Sequence, residues 1–378
     1  MARRPRRVTQ TIIDIRHAPL QGRDWAWIAA LTALFIVAVF AVRGAIFAAF
    51  DPTDRDYLAR RLELGRYRET DDVLWTYGRA LSWRDKTADV VVLGSSAARE
   101  ALPIELKLQQ QLSAAAGRPL RLAVLTSRDQ TPGEMLVYLD ALQLKPDATV
   151  IFILSPSRIF KRAPAATAVA SSLIPLDFLS LADDLEQDVP ALRQAPFATR
   201  LAATGNALRL VLYRWLRLAP ENWLREKVYG VTAPPRSPHL YRELPYGDAA
   251  TQAAHHRLVV DTMAAARPAD VRLNEELMMA TARRIRAAGG RIVVIDAPMI
   301  AGRDAAFYGA ERWQAYRALI TRLRSETAAA VLDINGAAAL GVEDYYDSTH
   351  VGDSGRRKWS RAFLGAVGPL LRPPAGGS

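Results

Sequence analysis

From residue 88 onward, short runs of consecutive apolar residues alternate with stretches of helical periodicity. Residues 88–93 (A-D-V-V-V-L), 120–126, 149–154 (T-V-I-F-I-L), 291–295 (R-I-V-V-I) and 330–334 read as five strands. Runs this short, apolar at consecutive positions, are those of strands buried on both faces. Between them, residues 131–144 are helical, with Pro132 in the first turn. Residues 273–288 form a helix stopped by Gly289-Gly290, 311–327 a further one, and a closing helix runs from about 355 to 371. Strand–helix alternation of this kind predicts an α/β domain with a parallel sheet covered by helices on both faces.

Two regions depart from that rhythm. Residues 160 to about 270 contain no strand pattern and read as a helical insertion between the third and fourth strands. Within it, 197–218 has the spacing of an amphipathic helix, and 233–245 is loop-like in its prolines and aromatics. Trp215 and Trp223 read as insertion core, and the His255-His256 pair, in a polar stretch, as solvent-facing. Residues 51–87 are polar and helical in pattern, a stalk packed on the domain, and 373–378 read as a disordered tail.

Ahead of the stalk the pattern changes completely. Residues 25–42 are 18 consecutive residues without a charge, W-A-W-I-A-A-L-T-A-L-F-I-V-A-V-F-A-V. As a helix they reach about 27 Å, close to the thickness of a bilayer core. Arg43 interrupts the run and G-A-I-F-A-A-F continues it to Phe50. A cleavable signal peptide has a shorter apolar region, about 7–15 residues, ending in a small-x-small site. The expected reading is a retained single-pass anchor over 25–50, with 1–24 as a basic tail. Six arginines (3, 4, 6, 7, 16 and 23) precede the run, against Asp14 and Asp24. The positive-inside rule then leaves the N-terminus in the cytoplasm and the domain at 88–372 in a periplasm-like space outside an inner membrane.

Composition narrows the chemistry. The 378 residues include no cysteine, which excludes disulfide scaffolds, thiolate metal sites and a cysteine nucleophile. Of the net charge of +11, the first 24 residues carry +4 and the remaining 354 carry +7, a mild excess for their length. That distribution does not fit a nucleic-acid binder and does fit a protein working beside an anionic membrane or envelope polymer.

In an open parallel sheet the site lies at the carboxyl ends of the strands. Those ends read Gly94-Ser95-Ser96, Thr126 to Gln130, Ser155-Pro156-Ser157-Arg158, Asp296-Ala297-Pro298 and Asp347-Ser348-Thr349-His350. A serine after a glycine turn is presented at the sheet edge, where backbone N–H groups can face a developing oxyanion. Its hydroxyl needs a base, and a histidine oriented by a carboxylate supplies one. The bland alternatives are a serine N-cap and a turn-capping aspartate. A D-x-x-H-x-x-D metal set (Asp347, His350, Asp353) is a further alternative, but Asp353 reads more simply as the N-cap of the last helix, so neither a metal nor a cofactor is expected.

V-V-V-L-G-S-S near residue 96 and D-S-T-H-V-G-D-S-G at 347–355 together resemble the SGNH, or GDSL-like, hydrolase superfamily, over residues 88–160 and 270–372. The resemblance implies a three-layer, flavodoxin-like sandwich with Ser96 as nucleophile, His350 as base and Asp347 as orienting acid. The second and third blocks differ from the family pattern. T-S-R-D-Q-T-P-G puts Asp129 or Gln130 near the glycine position, and S-P-S-R puts Ser157 about where asparagine stands. Oxyanion candidates are therefore the Ser96 N–H, Gln130 and Ser157, with Arg128 and Arg158 as substrate-binding candidates. With an anchor and an external domain, the chain looks most like envelope acyl-transfer proteins of the D-alanyl-transfer (DltD-like) and alginate O-acetyltransferase types. Those imply a polytopic membrane-bound O-acyltransferase as partner and an envelope polysaccharide or glycolipid as substrate. The alternative expectation is a catalytically weak assembly subunit on the same fold.

Overall fold

The structure is a computed structural model, and it describes residues 22–49, 76, 79–80, 83, 86–142, 144–161, 189 and 248–372. The chain divides into two compact units, residues 1–46 and 47–378. In the first lies most of helix α1 (Gly22–Ala49, 28 residues). Its described large apolar side chains, from Trp25 to Val37, are 42–64% exposed. Among the described residues no helix is long and apolar enough to cross a membrane; the side chains described along α1 run from Trp25 to Ala38, with Ala41.

The second unit is built around five strands, β1 (Val90–Gly94), β2 (Leu122–Thr126), β3 (Thr149–Leu154), β4 (Arg291–Asp296) and β5 (Ala330–Leu332). They form one parallel sheet in the order β2-β1-β3-β4-β5. This is the doubly wound order in which the topology reverses between β1 and β3, opening a crevice at their carboxyl ends. Successive strand residues face opposite ways. Val91, Leu93, Phe152 and Val294 enter one core, Val90, Val92, Ile151 and Ile295 the other.

The helices that cover the two faces are α2 (Ser96–Ala101), α3 (Glu105–Ala116), α4 (Pro132–Leu142), α5 (Pro156–Ile159), α6 (Ala249–Ala264), α7 (Pro268–Ala287), α8 (Asp304–Tyr308), α9 (Ala310–Thr327), α10 (Asn335–Ala338) and α11 (Asp353–Val367). Leu108, Leu112, Trp359 and Phe363 on α3 and α11 close one face; Tyr138, Leu277, Met278 and Tyr316 on α4, α7 and α9 close the other.

Local chemistry moves several boundaries from their expected places. Helix α7 begins at Pro268, five residues earlier than the apolar periodicity indicates. Asp270 accepts the Arg267 backbone N–H at 3.1 Å and starts the helix before its apolar stripe begins. Strand β5 ends at Leu332, where the chain turns into α10. The last helix begins at Asp353 and ends at Val367, followed by a 3₁₀ turn at Gly368–Leu371. Asp353 is therefore its first residue and not its N-cap, which is Gly352, and the Asp353 carboxylate pairs with Arg356. Of the stalk, Thr76 and Ala80 are buried, and the Thr76 hydroxyl donates to the Thr126 carbonyl at 3.1 Å. Trp83 packs against the core and Arg79 pairs with Glu105; the stalk apart from residues 76, 79–80, 83 and 86–87, the expected helix at 197–218, Trp215, Trp223, the loop at 233–245 and the tail lie outside the described residues.

Candidate active site

The turn after β1 is set by close packing. A Cβ on Gly94 would stand 2.7 Å from the Ala98 Cβ and 3.1 Å from the Ile153 carbonyl, so only glycine lets α2 follow the strand directly. Ser95 occupies the N-cap position, yet its side chain caps nothing. Ser96 opens the helix, and its hydroxyl reaches His350 Nε2 at 2.8 Å.

The histidine arrives on a tightly closed loop. An antiparallel bridge joins Tyr345 to Val351, and the Tyr346 N–H donates to the His350 carbonyl at 2.8 Å. Inside, Asp347 Oδ1 accepts the backbone N–H groups of Thr349 and His350, each at 2.8 Å. Asp347 Oδ2 stands 2.7 Å from His350 Nδ1. An aspartate that accepts from the backbone two and three residues on is a turn-former by chemistry. Here the same carboxylate shapes the loop and orients the ring. The loop is seated on α11 through Gly355, where a Cβ would lie 2.5 Å from the Asp344 carbonyl. Lys358 on the same helix donates to Asp344 at 2.7 Å.

Ser96, Asp347 and His350 are thus one hydrogen-bonded chain, all buried at 5–7% exposure. Burial is the largest influence on the Asp347 carboxyl and pushes its pKa up. The His350 hydrogen bond, the positive ends of His350 and His255 and the Thr349 amide outweigh it and hold the group at about 2. An ionised carboxylate on Nδ1 keeps the Nδ1–H tautomer and leaves the Nε2 lone pair to accept the serine proton.

The remaining strand-end residues are engaged differently. Gln130 is fully buried and donates its amide to the Leu125 carbonyl at 2.8 Å and the Ser127 hydroxyl at 3.3 Å, which binds it to its own turn. Ser157 exchanges a hydrogen bond with Ser155 at 2.9 Å. Arg158 pairs with Asp129, whose backbone has φ of 56° and which also meets Lys161 at 3.4 Å. Arg128, half-buried, precedes that aspartate. Asp296 accepts from Tyr316 at 2.6 Å and from Arg317 at 3.0 Å, which fixes α9 on β4.

Three residues depart from what the sequence pattern indicates, the first being His256, half-buried on α6 with its Nε2 3.0 Å from the Phe307 carbonyl oxygen. His255 on α6 is not solvent-facing: its side chain is 25% exposed, its Nδ1 lies 2.7 Å from the Ser348 hydroxyl and 3.5 Å from Asp347 Oδ1. The i, i+4, i+8 stripe His255–Val259–Met263 marks the face of α6 that turns inward. Asn335, fully inside, joins three segments: its Oδ1 accepts from Trp359 Nε1 at 3.0 Å and Met299 N at 3.2 Å, and its Nδ2 donates to Ala297 O at 3.0 Å. Among the described residues, His255, Asp347 and His350 are the group whose ligand atoms all lie within 4.8 Å of one another; Asp353 is not part of it.

A cleft of about 370 Å³ opens beside the acid end of this chain. Gln252 and His256 of α6, Met299, Phe307, Tyr345 and Ser348 are among its walls; Asp347 borders it, while Ser96 and His350 do not. The Tyr345 hydroxyl in that wall is buried without a hydrogen-bond partner. No known family model matches the sequence, and no curated protein is similar to it.

Proposed function

We propose that the chain is a membrane-anchored, extracytoplasmic SGNH-like acyltransferase or esterase that acts on an envelope glycan or glycolipid through a serine acyl-enzyme. The observation that carries this reading is the unbroken Ser96–His350–Asp347 relay, with contacts of 2.8 and 2.7 Å, at the carboxyl edge of a doubly wound sheet. In the first half-reaction Ser96 Oγ attacks the acyl carbonyl as His350 Nε2 takes its proton, and Asp347 stabilises the imidazolium. The imidazolium returns that proton to the leaving alcohol. In the second half an acceptor hydroxyl gives its proton to His350 and attacks the acyl-enzyme, and the imidazolium passes that proton to Ser96 Oγ as the ester bond to it breaks, which restores the free serine and neutral histidine. Among the proposed oxyanion donors, the Ser96 N–H at the head of α2 has no acceptor within its own helix.

The anchor and the partner rest on the sequence: 18 uncharged residues after an arginine cluster, and the resemblance to envelope acyl-transfer proteins that work beside a polytopic O-acyltransferase. A reporter active only in the cytoplasm, fused after Ser378, is expected to be silent; an active one overturns the topology. For the chemistry, a fluorophosphonate probe is expected to label the wild-type chain and not Ser96→Ala. Equal labelling of both removes the nucleophile assignment. The second reading, an assembly subunit with little turnover, is favoured by the side-chain bonds that engage Gln130 and Ser157. It predicts labelling without acyl transfer.

A further inference from the structure

Helix α6 meets the Asp347–His350 loop at two points. Gln252 Nε2 donates to the Tyr345 carbonyl at 3.4 Å, and His255 Nδ1 meets the Ser348 hydroxyl at 2.7 Å. The second contact lies between the two residues that carry the proposed acid and base. His255 Nδ1 is also 3.5 Å from Asp347 Oδ1, and its ring centroid is 5.8 Å from that of His350. Neither α6 nor His255 belongs to the motifs at residues 96 and 347–350.

The direction of the bond follows from electrostatics. Asp347 is ionised, and a bare Nδ1 lone pair 3.5 Å from a carboxylate oxygen would be repelled. The Nδ1–H tautomer of His255 puts a positive edge there and donates to Ser348 Oγ. Burial, the largest influence, lowers the His255 pKa, so the ring acts as a neutral dipole. A cationic ring this close to His350 would oppose formation of the imidazolium on which the relay depends.

We propose that His255 is a positioning residue that clamps Ser348, and through it holds the Asp347 carboxylate in line with His350; this rests on the Ser96–His350–Asp347 reading. Asp347 Oδ1 is fixed by two amides of its own loop, but those bonds move with the loop. Gln252 and Lys358 tie the loop at Tyr345 and Asp344, whereas the His255–Ser348 bond ties it from a separate helix between the acid and the base, so it sets that stretch against the body of the domain and against Ser96. The bonding atom is Nδ1, the ring position that an asparagine amide nitrogen overlays. That makes a stereochemical test available.

The test uses the full chain with a fluorophosphonate probe, and proton NMR of the low-field His350 Nδ1–H resonance. His255→Leu, similar in bulk but without the donor, is expected to slow Ser96 labelling about tenfold or more and to shift the resonance upfield. His255→Asn is expected to restore the resonance and bring labelling to within about threefold of wild type. Ser348→Ala, a smaller change, is expected to reproduce the leucine effect, and the double variant to add nothing to it. Wild-type labelling and an unmoved resonance in both His255→Leu and Ser348→Ala overturn the proposal. So does His255→Asn as slow as leucine when both unfold at the wild-type temperature. If wild type and Ser96→Ala label alike, the acyl-enzyme reading falls, and the resonance alone still decides whether His255 sets the Asp347–His350 bond.

Discussion

The turns after β1 and β3 share a grammar. Each follows a fully buried strand, each places a serine in the first turn of a short helix, and Ser96 and Ser157 are about equally buried. They differ in what meets the hydroxyl. Ser96 finds a histidine brought from 254 residues away, whereas Ser157 finds Ser155, two residues back on its own turn. A strand-end serine is therefore an address at which chemistry is possible, and the partner delivered by the far end of the chain decides whether it occurs. The turn after β2 completes the series: Thr131 and Glu134 satisfy each other's backbone in a reciprocal cap, with Thr131 N to Glu134 Oε2 at 2.7 Å.

Substitution of the two serines tests the contrast most severely. Ser96→Ala and His350→Ala are each expected to abolish acyl transfer, by a factor on the order of a million, and not to add when combined. Ser157→Ala is expected to stay within about threefold of wild type, since a bond between two neighbouring hydroxyls can be replaced by water. Envelope acylation in cells at matched protein levels measures all of these; an equal loss at Ser157 erases the distinction. Asp347→Asn comes next, at about ten-thousandfold, because an amide there favours the wrong imidazole tautomer.

Smaller effects sharpen the same comparison through stability. Gly94→Ala forces a Cβ to within 2.7 Å of Ala98 and is expected to cost about 1–3 kcal/mol in urea unfolding. The pH dependence separates the two turn-forming carboxylates. Asp347 is held at about 2, below its ordinary value of 3.8, so its stabilisation is complete above that ordinary value and is lost as pH falls toward 2. Glu134 is pushed by burial up to about 7 from 4.5, so stability tied to it declines as pH rises from 4.5 to 7. Glu134→Gln keeps the cap and removes the ionisable group, so no charge is buried at high pH; it is expected to gain about 1–3 kcal/mol over wild type at pH 8 and little at pH 4. A gain of the same size at both values would mean that burial is not the cause.

The parallel sheet was legible because each strand is apolar at consecutive positions, and the Ser96, Asp347 and His350 positions because they fall at ends of that sheet's elements. What escaped the sequence reading depends on contacts that no local pattern records. His255 sits in a polar stretch, and only its i+4 alignment with Val259 and Met263 hints that it turns inward. Asn335 joins Ala297 and Met299 of the loop after β4 to Trp359 of the closing helix, and nothing near it in the chain announces them. Gln130 and Ser157 are candidates only through the resemblance of short blocks, which indicates where a residue lies in the chain and not which way its side chain bonds.

The acid and the base lie three residues apart on one loop, while the hydroxyl they serve lies 254 residues away. Contacts so unequal in range do not form together during folding, because long loops close at a greater entropic cost. The Asp347–His350 pair needs only its own turn, but it gains a serine only after β1, β3, β4 and the closing helix have come together. An unfinished chain thus carries a serine that no histidine yet meets. On the proposed acyl-enzyme reading, activation of the hydroxyl is an outcome of completed folding, because the histidine contact is the last of these to close.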